Sequence, residues 1–306
     1  MGAFHWLAQH AFFMQQLMLT NNKIRVIIAL IAVYISWGST YLAIRIALQE
    51  LPPFFMMGIR FFLVGVLLYV YLRLRGAPIP NGIQWLNSTI IGALLFLGGS
   101  AGIAYAEQWV PSGMAAIVIA TTPLWTVLFT GIWNEWPTRS EWIGLILGFT
   151  GIMLLHFEGD LRATPLGAAA LLVSAASWAF GSAWSRQLIL PKGQMTGAVQ
   201  MIMGGAIVLF ASNIMGERLD VVPTWRSLSA VLYLAIFGSL VGFTAYIYLL
   251  NRVRPALATS YAYVNPIFAV ALGVWLGGEK MTVVGLSAML IILTGVVIVA
   301  GTRRFV

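Results

Sequence analysis

Charge is scarce in this chain. Of its 306 residues, 8% are Asp, Glu, Lys or Arg against 60% that are hydrophobic, and the mean hydropathy is +0.90. So little polar surface cannot coat a water-soluble globule, which makes this a polytopic membrane protein. Cysteine is absent, and that excludes disulfides and thiolate chemistry while leaving the compartment open. The HExxH motif, the GxxxxGK loop and a paired-Asp motif within an apolar run are missing too, so neither an embedded enzyme nor an ATP-driven pump has its residues. No cofactor or metal is implied: His5 and His10, five apart, do not share a helix face as ligands four apart do. Short alternating segments that would close into a barrel are also lacking. The apolar runs are continuous and much longer than one barrel strand, so they are helices.

Cutting the chain at Pro, Gly and charge clusters predicts ten spans, near 24–48, 54–74, 83–106, 112–133, 141–157, 165–187, 195–214, 227–250, 255–277 and 282–301. At roughly 20 residues per crossing they leave no room for a separate soluble domain. One set of span ends carries Lys23, Arg25, Arg73, Arg75, Arg139, Arg186, Lys192, Arg252, Arg254, Arg303 and Arg304; the opposite set carries only Arg162, Arg218, Arg226 and Lys280. Basic residues stay on the cytoplasmic side during insertion, which predicts that both termini are cytoplasmic. The net charge of +8 is then explained by orientation against an anionic lipid bilayer, with no nucleic-acid partner. Residues 1–22 mix aromatic side chains with His and Gln and lack the basic start of a signal peptide. They are either an interfacial helix or disordered extension, or the product of a start placed upstream of Met18.

Landmarks recur about 141 to 144 residues apart. Ser36-Trp37 answers Ser177-Trp178, Ala104-Tyr105 answers Ala245-Tyr246, Pro111 answers Pro255, Pro123 answers Pro266, and Thr150-Gly151 answers Thr294-Gly295. The chain therefore divides into a first repeat over 23–160 and a second over 161–306. Each unit holds an odd number of helices, five, so the second copy enters the membrane from the opposite face. The expected fold is an all-α membrane protein of ten transmembrane helices, two inverted five-helix repeats around a central cavity.

The stretch from Asn265-Pro266-Ile267-Phe268 through Gly277-Gly278-Glu279 to Leu293-Thr294-Gly295 resembles the second signature half of EamA-type members of the drug/metabolite transporter superfamily. The stretch from Thr122-Pro123-Leu124 to Gly148-Phe149-Thr150-Gly151 resembles the first, without the Gly-Glu pair at its helix end. Within that family, Ser36-Trp37-Gly38-Ser39-Thr40-Tyr41, Ser177-Trp178-Ala179-Phe180-Gly181-Ser182 and the segment from Pro255 to Pro266 are most similar to the YedA-like inner-membrane proteins, relatives of the YddG amino-acid exporters. The resemblance implies a bacterial inner-membrane location, a central cavity and export of small metabolites, with amino acids as the class that the related exporters suggest.

Candidate site residues come from polarity at depth. Pro123 and Pro266 each remove a helix hydrogen bond near mid-span, where Thr121, Thr122 and Asn265 are placed to repair it; they are either repaired kinks or hinges flanking a substrate site. Trp37, Tyr41, Tyr105, Trp125, Trp178, Tyr246 and Tyr261 lie away from the headgroup belts, and each needs a partner for its N–H or O–H, which a hydrated cavity supplies. Trp184 and Tyr263 belong to the same group. Arg60 and Arg45 sit about 10 Å below one surface by helix rise. Arg45 reads as a snorkelling residue, whereas the Arg60 fork suits a carboxylate. Glu107 either pairs with Arg60, accepts a coupling proton, or meets water at the rim. His156 beside Glu158 and Asp160 reads as interfacial. Gly144 and Gly148, like Gly98, Gly99 and Gly102, permit close helix approach without dimerisation, so the expected state is a monomer whose partners are a small-molecule substrate and lipid. The expected function is secondary transport, exporting a small amphipathic, amino-acid-like metabolite by alternating access. The alternatives are a carrier for a sugar or drug-like cation, or a lipid-handling or structural membrane protein.

Overall fold

The computed structural model describes residues 2–134, 136–155, 164–250, 252–253 and 261–302, with side chains apart from those of residues 2–22, 155, 263 and 299–302. Helices account for nearly all of it. They are α1 (Gly2–Ala47), α2 (Pro53–Leu74), α3 (Gly82–Ala106), α4 (Ser112–Trp133), α5 (Arg139–Leu155), α6 (Pro165–Gln187), α7 (Gln194–Ile214), α8 (Trp225–Leu250), α9 (Tyr261–Trp275) and α10 (Val283–Thr302). Among the described residues, seven helices are long and apolar enough to cross a membrane, while Val264–Trp275 and Val283–Ile298 form shorter apolar stretches. α1 runs back without a break to Gly2, so residues 2–22 are helical and continuous with the first span. Pro255, His156, Glu158 and Asp160 lie outside the described residues.

Helix ends follow local chemistry. Pro53 and Pro165 open α2 and α6, where a missing N–H leaves no bond unmade. Asn81 and Gln84 close a capping box on α3. α4 ends on Asn134 in the left-handed region, φ 64°, and the chain leaves α9 through Gly278 at φ 65°. These residues occupy corresponding places in the two repeats. Asn tolerates that conformation better than other side-chain-bearing residues, so Asn134 stands where the second half has Gly278. The first half lacks the glycine, as expected, and Asn134 takes the left-handed conformation in its place.

The most extensive helix contacts join α2 to α7 and α5 to α10, members that correspond between the repeats. Small residues make this closeness possible. A Cβ on Gly58 would stand 2.7 Å from Leu209, one on Gly65 2.6 Å from the Ile202 nitrogen, and one on Gly205 2.4 Å from the Phe62 nitrogen. As one residue number rises the other falls by the same step, so α2 and α7 run antiparallel. α5 and α10 do likewise, with Gly151 against Ile292 and Gly295 against Gly148. Other contacts follow the same exchange: α1 meets α8 and α9, as α6 meets α3 and α4.

Two helices are unevenly wound. Ala93–Ala101 in α3 and Leu234–Val241 in α8 are π-helical, again at corresponding places. Such widening loosens the backbone hydrogen bonds, and side chains of neighbouring helices use the carbonyls. Ser177 Oγ donates to Leu94 O at 2.7 Å and Trp37 Nε1 donates to Gly238 O at 3.0 Å.

Candidate functional site

The π segments bring α3 and α8 around a central cavity of about 80 Å³, lined from both repeats. One water-sized sphere takes about 10–15 Å³ by the same measure, so the space holds several waters or an equivalent part of a small solute. Its wall includes the corresponding pairs Trp37 with Trp178 and Thr122 with Asn265, together with Tyr41, Arg60 and Tyr261. Glycine lets the indoles approach: a Cβ on Gly242 would fall 2.5 Å from Trp37 Nε1, and one on Gly99 3.0 Å from Trp178.

Four rings interlock on one side of the cavity. Trp37 lies edge-on to Trp178 at 5.7 Å between centroids and to Tyr261 at 4.7 Å, and tilts against Tyr246 at 5.0 Å. Tyr246 in turn meets Tyr261 edge-on at 5.7 Å. Tyr246 faces a second space at the end of the bundle bearing Arg186 and Lys192, and Phe243 lines both spaces. The cluster is thus a partition between them.

Three polar groups in this wall carry atoms without a partner. Arg60 is 6% exposed; its Nε donates to Ser239 Oγ at 2.9 Å, its guanidinium lies 4.3 Å from the Phe61 ring centroid, and one terminal nitrogen has no partner. Trp178 Nε1 and Asn265 Oδ1 are buried without partners as well. Buried polar atoms are rarely left so unless a ligand or water completes them. The set offers cationic donors, one neutral donor, one acceptor and aromatic faces, which suits a small amphipathic solute and provides no nucleophile with its base.

Pro123 and Pro266 differ in detail. At Pro123 the helix breaks between Ile119 and Thr122, and the hydroxyls of Thr121 and Thr122 donate to Val118 O and Ile119 O at 2.7 and 2.6 Å. Pro266 sits inside α9 with its neighbour Asn265 unpaired in the cavity.

Three sequence candidates lie elsewhere. Tyr105 packs on Phe54 and Trp109 at the opposite, acidic end of the bundle. Trp125 stacks between Phe129 and Phe149, away from the cavity. Glu107 is 3% exposed with both oxygens unpaired, so it does not pair with Arg60. Neither ring lines the cavity: Trp125 follows the break at Thr121, and Tyr105 follows the π turn in α3. Arg45 reaches Glu279 at 3.4 Å instead of pointing only to solvent.

Acidic residues missed as structural devices hold this end together across the halves. Glu279 accepts from Ser112 N and Oγ and from Gly113 N, Glu217 from Phe54 N and Phe55 N, and Glu50 from Thr224 N and Oγ1. Each caps the start of a helix distant in sequence. No local motif announces a cap supplied from another part of the chain.

The model of the EamA-like transporter family matches this chain twice, over residues 24–157 and 165–301. The chain belongs to the EamA-like transporter family. It is 45% identical to the inner membrane transporter YedA of Escherichia coli strain K12 over 272 residues, 89% of each chain. The transporter YoaV of Bacillus subtilis strain 168 is 24% identical over 280 residues, 89% of this chain and 96% of its own. A solved crystal structure superimposes with a TM-score of 0.66 at 21% identity, covering 93% of this EamA-like chain and 99% of the other, a likeness of fold alone. The family and these relatives are transporters and not enzymes, which agrees with a site of binding groups around a cavity.

Proposed function

We propose that this EamA-like chain is a secondary carrier that exports a small amphipathic, amino-acid-like metabolite by alternating access. One observation carries the proposal: an interior cavity built from matched residues of both repeats, into which Arg60, Trp178 and Asn265 turn polar atoms with no protein partner. A guanidinium fork suits a carboxylate, the indole and phenol faces suit an ammonium group or apolar side chain, and Asn265 Oδ1 accepts from a donor. A purely cationic drug is disfavoured by Arg60.

Two inverted five-helix halves would let a single site face each side in turn. Support comes from the antiparallel α2–α7 and α5–α10 pairs, the exchange-related contacts and the matched π turns. The basic end, carrying Lys23, Arg73 and Arg186, is the cytoplasmic one on the distribution of positive charge, with both termini inside. Pro123 and Pro266 act as hinges, and one chain suffices because it already supplies both halves.

The test is efflux and counterflow from proteoliposomes against a panel of amino acids, sugars and cationic dyes. The proposal expects at least one amino acid to exchange well above protein-free vesicles and to lose that exchange in Arg60→Gln. Exchange of sugars or dyes alone, or of nothing, would refute the substrate class.

A further inference from the structure

A second space opens at the basic end, across the ring partition from the central cavity. It holds about 420 Å³ and lies among α3, α6, α7 and α8. Arg186 and Lys192 stand exposed in its wall, and among the described residues no acidic side chain lines it. The 21-residue helix α7 starts there: Gly193, at φ +60°, turns the chain into it, and no side chain caps its first turn. The unsatisfied N–H groups and the positive end of the helix dipole therefore add to the two cations. Gln200, also in the wall, is 1% exposed, and its Oε1 has no hydrogen-bond partner, while Ser182 Oγ faces the Tyr246 hydroxyl. Within a membrane an unpaired carbonyl oxygen stands as a penalty until a donor arrives.

We infer that this space is an antechamber which captures a small carboxylate-bearing solute before the rings around Tyr246 admit it to the central cavity. The carboxylate meets Arg186, Lys192 and the start of α7, while a neighbouring ammonium or hydroxyl group donates to Gln200 Oε1 and Ser182 Oγ. A solute with both groups fits; a bare anion leaves Gln200 unmet. The inference rests on the carrier proposal for its direction of traffic, although the capture itself is a property of this wall. The phosphate of an anionic lipid headgroup offers similar charge, and the test separates the two sources.

Because the chain has no cysteine, Thr196→Cys places a single thiol in this wall, with Ser185→Cys as the substitute should the first misfold. The purified protein in discs of phosphatidylcholine is treated with methanethiosulfonates carrying either a sulfonate or a trimethylammonium group. The anionic reagent is expected to react about tenfold faster, and Arg186→Gln with Lys192→Gln should erase that preference. Glycine should slow modification more than acetate does, and Gln200→Leu should remove the difference. Equal rates, a faster cationic reagent, or failure of glycine to protect would overturn the inference. So would protection seen only when phosphatidylglycerol is added to the discs, which would assign the site to lipid. Charge preference and glycine protection that persist while proteoliposome exchange fails would sink the carrier proposal alone; exchange that survives their loss would sink the antechamber alone.

Discussion

In the proposed carrier, Arg60 is the residue on which recognition would turn. It is held by Ser239 through one nitrogen and lies against Phe61, leaving the rest of its fork toward the cavity. A lysine keeps the charge but offers a point donor where a planar fork was. Arg60→Lys is expected to raise the half-saturation concentration for amino-acid exchange about tenfold, equivalent to about 1.4 kcal/mol, with little loss of maximal rate. An unchanged half-saturation concentration in Arg60→Lys would show that the charge suffices and that the shape of the fork does not matter there. Gly242 tests the rings from behind. Its substitution by Ala places a carbon 2.5 Å from Trp37 Nε1, so the indole must move and give up Gly238 O. The expected consequence is a loss of about 1–3 kcal/mol, seen as a lower thermal midpoint in detergent together with reduced exchange.

At the level of the element, the helix starts at the acidic end depend on carboxylates from elsewhere in the chain. Glu217→Gln removes a charged acceptor from the first turn of α2 and should destabilise by about 1–2 kcal/mol, measurable as a reduced thermal midpoint at neutral pH. Glu50, in the connection between α1 and α2, gives a pH-dependent counterpart. Hydrogen bonds from the Thr224 backbone, then from the side chains of Ser227 and Thr224, hold its carboxyl below the ordinary glutamate value of 4.5, with help from nearby Arg226 and against slight desolvation. A depressed pKa in the folded state stabilises above the unfolded value and loses that stabilisation as pH falls through the folded one. The thermal midpoint of Glu50→Gln should therefore fall below that of the parent at neutral pH, the gap closing below about pH 4.5. A gap independent of pH would mean that geometry, and not charge, makes the cap.

These elements also show what the sequence could reveal. Hydropathy and proline mark where helices lie, and the recurrence of Trp37, Tyr105, Pro123 and their counterparts marks how the halves correspond, because both signals depend on residue type along the chain. Rotation about each helix axis is different. It follows from winding, and nothing in Ala93–Ala101 or Leu234–Val241 distinguishes a π turn from an α turn by composition. Hence Trp37, Trp178 and Tyr261 meet the cavity as expected, whereas Tyr105 and Trp125 do not. The carboxylate caps were out of reach for a related reason, since their partners lie well over a hundred residues away.

On the scale of the whole molecule, the ring partition stands between the central cavity and the space at the basic end. Trp37, Trp178, Tyr246 and Tyr261 touch one another, with Phe243 beside them. Protons move along files of water and are halted by a stretch of carbon. An energised membrane holding this protein should accordingly keep its proton gradient while the partition is closed. Vesicles containing the protein and an entrapped pH-sensitive dye should keep an imposed gradient as long as plain lipid does. Trp37→Ala, which opens a void at the centre of the seal, should make them leak.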